Sequence, residues 1–316
     1  MVKQINLEET KSIRGAYGKA LVEEGKNNPD IVVLDADLSC STQTAQFAKE
    51  FPERFFNVGI AEQDLITTAA GLSTTGKIPF LSAFAVFATG RAYDQVRNTV
   101  CYSNFNVKIV GTHGGITVGE DGATHQALED ISLMRGLPNM TVIVPSDCNE
   151  CQQVINFAAN YEGPVYIRVP RENVPDVYDE NYKFDIKKAV ILKEGTDVTL
   201  ITNGDLTAQV LKCAELLEKN GVNAQVVNVP VVKPIDYETI LNCIKKTNRA
   251  ITIENHSVIG GLGSAVCEIT AEKYPIKVSR IGINDCFGQS GTTEGLLDFY
   301  GLTYNKLADK ILELLK

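Results

Sequence analysis

Ile31-Val32-Val33-Leu34 is a run of four branched apolar residues, followed by the polar loop Asp37-Leu38-Ser39-Cys40-Ser41 and a helical pattern ending near Glu50. A continuous apolar run, in place of strict alternation, suits a strand covered on both faces, as in a parallel sheet. The same grammar repeats outward from this point. Leu65, Ile66, Ala69 and Leu72 have helical spacing and follow Gly59-Ile60, and further strands are predicted at 79–83, 107–111, 141–144 and 165–169. From Pro170 to Lys188 the chain holds two prolines and many charges without sustained periodicity, which reads as a connection. The alternation then resumes. Strands are predicted at 198–202, 224–229, 250–254 and 277–281. Helices are expected at 208–219 (ending at Asn220-Gly221), near 237–246 and after Gly260-Gly261-Leu262-Gly263. The expected fold class is α/β, with two doubly wound domains: residues 1–175, a linker at 176–188, and residues 189–316.

Composition narrows the function. A chain of 316 residues with 44% apolar residues can bury two cores. The formal net charge of −9 argues against a nucleic-acid partner or a general attraction to anionic membranes. The N-terminus has no apolar core followed by a small-residue cleavage site, and no apolar run is long enough to span a bilayer. A cytoplasmic, soluble protein is expected. The eight cysteines are scattered, and Cys148 with Cys151 forms a CxxC that no second pair or nearby histidine completes into a zinc set. Two incidental cysteines on a first helical turn explain that pair better than a redox centre.

Two segments look unlike scaffold. Asn57-Val58-Gly59-Ile60-Ala61-Glu62-Gln63 ends a strand and opens a helix, where Glu62 by itself reads as a first-turn acid complementing the helix dipole. Residues 112–125 form a glycine-rich loop carrying His113, Asp121 and His125, two of the three histidines of the chain among them. Ligand crevices of open α/β sheets lie outside the carboxyl ends of strands, so both segments sit where a site belongs.

The ordered set is more specific than either segment. Gly59-Ile60-Ala61-Glu62-Gln63 is followed by Phe84-Ala85-Val86-Phe87 with Arg91-Ala92-Tyr93-Asp94-Gln95. Then come Gly119-Glu120-Asp121-Gly122-Ala123-Thr124-His125-Gln126 and Pro145-Ser146-Asp147 with Glu150. This series resembles the pyrimidine domain of transketolases and 1-deoxyxylulose-5-phosphate synthases. Glu254-Asn255-His256 with the following glycine motif resembles their C-terminal domain. The resemblance implies a thiamine-diphosphate pyrimidine-binding domain joined to a transketolase C-terminal-like domain, and it covers nearly the whole chain.

It also implies roles. Glu62 corresponds to the glutamate that bonds N1′ of the cofactor's aminopyrimidine and favours the 4′-imino tautomer, the cofactor then acting as electron sink. Phe84 and Phe87 match the aromatic wall for that ring, and Asp37 a cofactor-side aspartate. Arg14, Ser41, His113 and Arg171 match contacts to the sugar phosphate, a task that suits the planar fork of arginine. Asp121 and His125 match contacts to the hydroxyls and reacting carbon. Glu62, His113 and His125 are thus the catalytic candidates. One position departs from the pattern: transketolases commonly carry a third aromatic where this chain has Gly90.

The Gly-Asp-Gly and spaced Asn that hold the diphosphate and its magnesium ion are absent from the sequence. Glu120-Asp121-Gly122 with Asn149 is a decoy, since it begins with Glu and falls on the pyrimidine side. The chain itself therefore has no expected metal ligand. A partner subunit is expected to bring the diphosphate site and Mg2+, in a heterotetramer acting on phosphorylated sugars. The expected function is a transketolase subunit. The alternatives are a relative using a 2-oxoacid donor (1-deoxyxylulose-5-phosphate synthase-like or 2-oxoacid dehydrogenase beta-like) or a non-catalytic regulatory homologue. A nicotinamide oxidoreductase is disfavoured, because Gly260-Gly261-Leu262-Gly263 lacks the dinucleotide pattern and fits tight helix–strand packing, with His256 beside it in a structural role.

Overall fold

The computed structural model describes residues 2–316. Its strands are β1 (Thr10–Lys11), β2 (Ile31–Asp35), β3 (Phe55–Asn57), β4 (Ile78–Phe84), β5 (Lys108–Thr112), β6 (Thr141–Ile143), β7 (Val165–Val169) and β8 (Val174–Pro175), then β9 (Val190–Lys193), β10 (Val198–Thr202), β11 (Ala224–Asn228), β12 (Val231–Lys233), β13 (Ala250–Ser257) and β14 (Val278–Ile283). The first sheet has the order β12-β6-β7-β5-β4-β2-β3. All its pairings are parallel except β12 against β6. The second sheet has the order β14-β13-β10-β11-β9, with β9 as its antiparallel edge. Both are mixed with helices in the expected α/β manner.

The apolar run that opened the sequence behaves as its pattern demands. Val32 and Leu34 enter one core with Leu81, Ile109 and Val142, whereas Ile31 and Val33 enter the opposite core with Phe80, Val110 and Ile167. Helices cover both faces, and their starts are fixed by side-chain caps: Ser12 for Ile13–Asn27 and Asp147 for Cys148–Asn160 each accept a backbone N–H of the first turn.

The segment expected to end in one helix near Glu50 is two helices, Ser39–Thr42 and Ala45–Glu50, with Gln43 in the left-handed region between them. The buried Asp35 carboxylate causes the break. It accepts from Leu38 N–H at 2.5 Å and from the hydroxyls of Thr42 and Thr44 at 2.7 and 2.9 Å, which reels the loop back onto the strand end.

The two sheets share a seam. β12, from the second half of the chain, completes the edge of the first sheet. Val177, Tyr178 and Tyr182 of the connecting segment are buried in the same core as Leu200 and Val226 of the second domain. Among the described residues no helix is long and apolar enough to cross a membrane.

Candidate active site

The carboxyl ends of four parallel strands bring the candidate residues to one edge. Asp37 follows β2, Glu62 opens the helix Glu62–Ser73 after β3, Phe84 ends β4, and His113 follows β5. Glu62 is buried at 1% exposure. Its Oε2 accepts from Nη1 of Arg91 at 2.8 Å, and no other hydrogen bond to its carboxyl occurs among the described residues. The guanidinium of Arg91 also lies over the ring of Phe87, 4.8 Å from its centroid. Phe84 and Phe87 are nearly parallel, at 6.0 Å and 15°.

The two histidines join this wall. His113 stacks on Phe84 at 3.8 Å, and His125 meets Phe87 edge-on at 5.4 Å. Burial, reinforced by the positive charges of Arg14 and Arg171, pushes the His113 imidazole down to about 3, so it is neutral at physiological pH. Its Nδ1 pairs with the Thr112 hydroxyl at 2.9 Å, leaving Nε2 free to contact a ligand. His113 adopts a positive φ of 61°, a conformation that a non-glycine residue keeps only when its surroundings enforce it.

The enforcement comes from the second domain. Asn255 accepts from Ile116 N–H at 2.9 Å and donates to the Thr117 hydroxyl at 3.2 Å and to Asp205 at 2.7 Å. Gly115, at φ 80°, leaves that amide its place, since a Cβ there would stand 2.4 Å from it. Beside this loop, Arg14 donates to the carbonyls of Ser41 and Arg171 at 2.6 and 2.8 Å. Its buried Nε has no partner. A half-buried guanidinium with an unused donor next to a second arginine is suited to an incoming anion. A cavity of about 390 Å³ opens there, lined by Arg14 and Arg171 with Glu120, Glu172 and, from the second domain, Thr292 and Thr293.

Not every expected residue joins in. Asp121 is exposed at the end of the turn Ile116–Asp121 and makes no hydrogen bond to the others. Asp37 is exposed and is held by Asn57, which donates to its Oδ1 at 3.2 Å. Ser41 reaches the group only through its carbonyl. Asn149 of the decoy is committed elsewhere, to Asp179 and Gln153. No group of three or more His, Cys, Asp or Glu positioned for a metal occurs among the described residues.

Cys148 and Cys151 are both free, with burial pushing the Cys148 thiol up to about 11. At the glycine motif, Glu254 accepts from Leu262 and Gly263 N–H at 2.7 and 2.9 Å, so the loop wraps a helix-capping carboxylate. Arg91 and Asn255 stand in the sequence only as members of motifs. The roles they take here depend on contacts that the sequence pattern does not encode.

A two-domain α/β protein with a buried carboxylate beside an aromatic wall, and paired arginines one loop away, is the class that fold and site define. The transketolase pyrimidine-binding domain matches residues 9–177 and the transketolase C-terminal domain residues 187–307. The chain belongs to the transketolase family, which is thiamine-diphosphate dependent. It is 51% identical to a transketolase C-terminal section of Methanocaldococcus jannaschii, over 97% of each chain. It is 42% identical to a 6-deoxy-6-sulfo-D-fructose transketolase subunit of Clostridium sp. (strain MSTE9), over 93% of this chain and 92% of that one. A solved split-gene transketolase, an inactive beta4 tetramer, superposes with a TM-score of 0.90 at 53% identity, covering 96% of this chain and 98% of that one. The transketolase of Leishmania mexicana, at 23% identity and a TM-score of 0.83, shares the fold over 46% of its length.

The site fits the family's cofactor on an observation of its own. A flat cation already lies on Phe87 while donating an N–H to Glu62, so a planar ring with one donor edge can meet both residues at once. The described residues do not fit the metal ion, for want of a ligand cluster.

Proposed function

We propose that the chain is the pyrimidine-side subunit of a transketolase that moves a two-carbon ketol unit between phosphorylated sugars. In this reading a partner subunit in a heterotetramer supplies the diphosphate and Mg2+ site. The single observation that carries the proposal is the buried Glu62 carboxyl beside the Phe84–Phe87 wall, with the Arg14, His113 and Arg171 group one loop away.

When bound, thiamine diphosphate supplies the electron sink for breaking and making carbon–carbon bonds. The chain's residues do the rest. Glu62 exchanges a proton-bearing hydrogen bond with N1′ of the aminopyrimidine, in a site whose burial strengthens that bond. Phe84 and Phe87 present an apolar face to the ring and exclude water. Asp37 serves the cofactor side. Arg14 and Arg171, with Ser41 and the free Nε2 of His113, grip the phosphate and fix the sugar's reach. His125 and Asp121 face the hydroxyls, His125 shuttling a proton at the sugar. The joint presence of both arginines and His113 supports a phosphorylated sugar over a 2-oxoacid donor.

The test is turnover by the chain reconstituted with its partner, using xylulose 5-phosphate with an aldose phosphate acceptor, and pyruvate in parallel. Ketol transfer from the sugar is the expected result. Turnover of pyruvate alone would overturn the assignment.

A further inference from the structure

Arg91 has no place in the roles assigned above, yet it holds the central carboxyl. It lies at the end of the π-helical turn Phe87–Arg91. Residue 91 lies four positions after residue 87 on the same face of the turn, and the N–H of Ala92 closes the turn on the carbonyl of Phe87 at 3.3 Å. Gly90 adds no side chain to this stretch, and a Cβ there would meet nothing within 4 Å. The flank of the wall is thus free for the guanidinium. That group is planar, delocalised and weakly hydrated, which lets it stack on an aromatic face while donating in its plane. Here it does both, on Phe87 at 4.8 Å and to Glu62 at 2.8 Å. The Arg91 side chain is itself 50% exposed, with solvent to move into.

We propose that Arg91 is a built-in stand-in for the aminopyrimidine ring, filling the place against Phe87 and Glu62 while the chain is without cofactor and vacating it when the ring enters. The proposal rests on the function proposed above. Its physical logic is one of linkage. Glu62 is 2% exposed at its side chain and, without Arg91, would be a buried carboxyl with no donor among the described residues. Arg91 relieves that cost in the empty chain. The contacts that stabilise the empty state must be given up on loading, and they weaken apparent cofactor affinity by the same factor.

The experiment compares wild type, Arg91→Met and Arg91→Lys, each as the full chain with its partner subunit and Mg2+, titrated with thiamine diphosphate by calorimetry. Arg91→Met is expected to bind about tenfold more tightly, the combined order of one half-exposed ion pair and one cation–π contact. Arg91→Lys, which keeps the charge but not the flat fork, is expected between the two. A second readout needs no cofactor: the full chain alone should melt at a lower temperature in Arg91→Met than in wild type, while the loaded assemblies melt together. Equal or weaker binding by Arg91→Met would overturn the stand-in, since Arg91 would then contribute to the loaded state or to neither. A wild-type pair that fails to bind thiamine diphosphate contradicts the proposed function itself, and this inference falls with it.

Discussion

Glu62 and Glu150 are both buried glutamates in the first turn of a helix, and they differ in who satisfies them. Glu150 takes the Ser146 N–H at 2.7 Å, the Tyr182 hydroxyl at 2.6 Å and the Asn228 amide at 3.3 Å to each oxygen. Every one of these donors comes from the fold, and they tie the connecting segment and the second domain to the first sheet. Glu62 has one donor, on a long side chain that is half in solvent. The histidines repeat the contrast. His256 is fully buried, with Nδ1 on the Ser257 carbonyl at 2.6 Å and the Ser132 N–H on Nε2, whereas His113 keeps Nε2 free against an aromatic wall. A saturated buried polar group holds the domains together. Under the proposed function, an under-satisfied one at the carboxyl end of a parallel sheet is the group left for a ligand.

Substitution at the two glutamates should therefore separate activity from stability. Glu62→Gln in the reconstituted pair is expected to lower ketol transfer by about 10²–10⁴-fold, the range for a lost proton-transfer group, with little change in melting temperature. Activity that survives intact would break the comparison. Glu150→Ala should do the opposite, costing about 3 kcal/mol in chemical denaturation because Tyr182, Asn228 and the Ser146 N–H lose a shared buried acceptor. Specific activity of the folded fraction should hold.

The smallest effect concerns pH. His113 titrates at about 3 in the fold against 6.5 unfolded. A depressed value means the stability it contributes is complete above 6.5 and is lost as pH falls towards 3. Denaturation midpoints of wild type and His113→Gln should accordingly draw in favour of the variant between pH 7 and pH 4.5. A constant difference would show that His113 is not held neutral.

Much of this was legible in the chain. Continuous apolar runs at 31–34 and 165–169 announced strands buried on both faces, and the ordered motifs around Glu62, Phe84 and His125 marked the sheet edge where the candidate residues gather. What escaped reading depends on contacts between residues far apart. β12 completes a sheet whose neighbouring strand lies some ninety positions earlier, and edge pairing leaves little trace in a three-residue strand. Asn255 supports the His113 loop from 139 positions away. The break at Gln43 follows from Asp35 collecting two threonine hydroxyls, a choice that helical periodicity does not encode. Arg91 escaped because its decisive contact is not local: helical spacing alone sets it four residues from Phe87 on one face, but its pairing with Glu62 spans 29 positions.

In the proposed function this chain holds one side of a shared cofactor site. That placement is tested most directly by titrating thiamine diphosphate and Mg2+ into the chain alone and into the chain with its partner subunit. Heat of binding is expected only when the partner is present. Tight binding to the chain alone would contradict it.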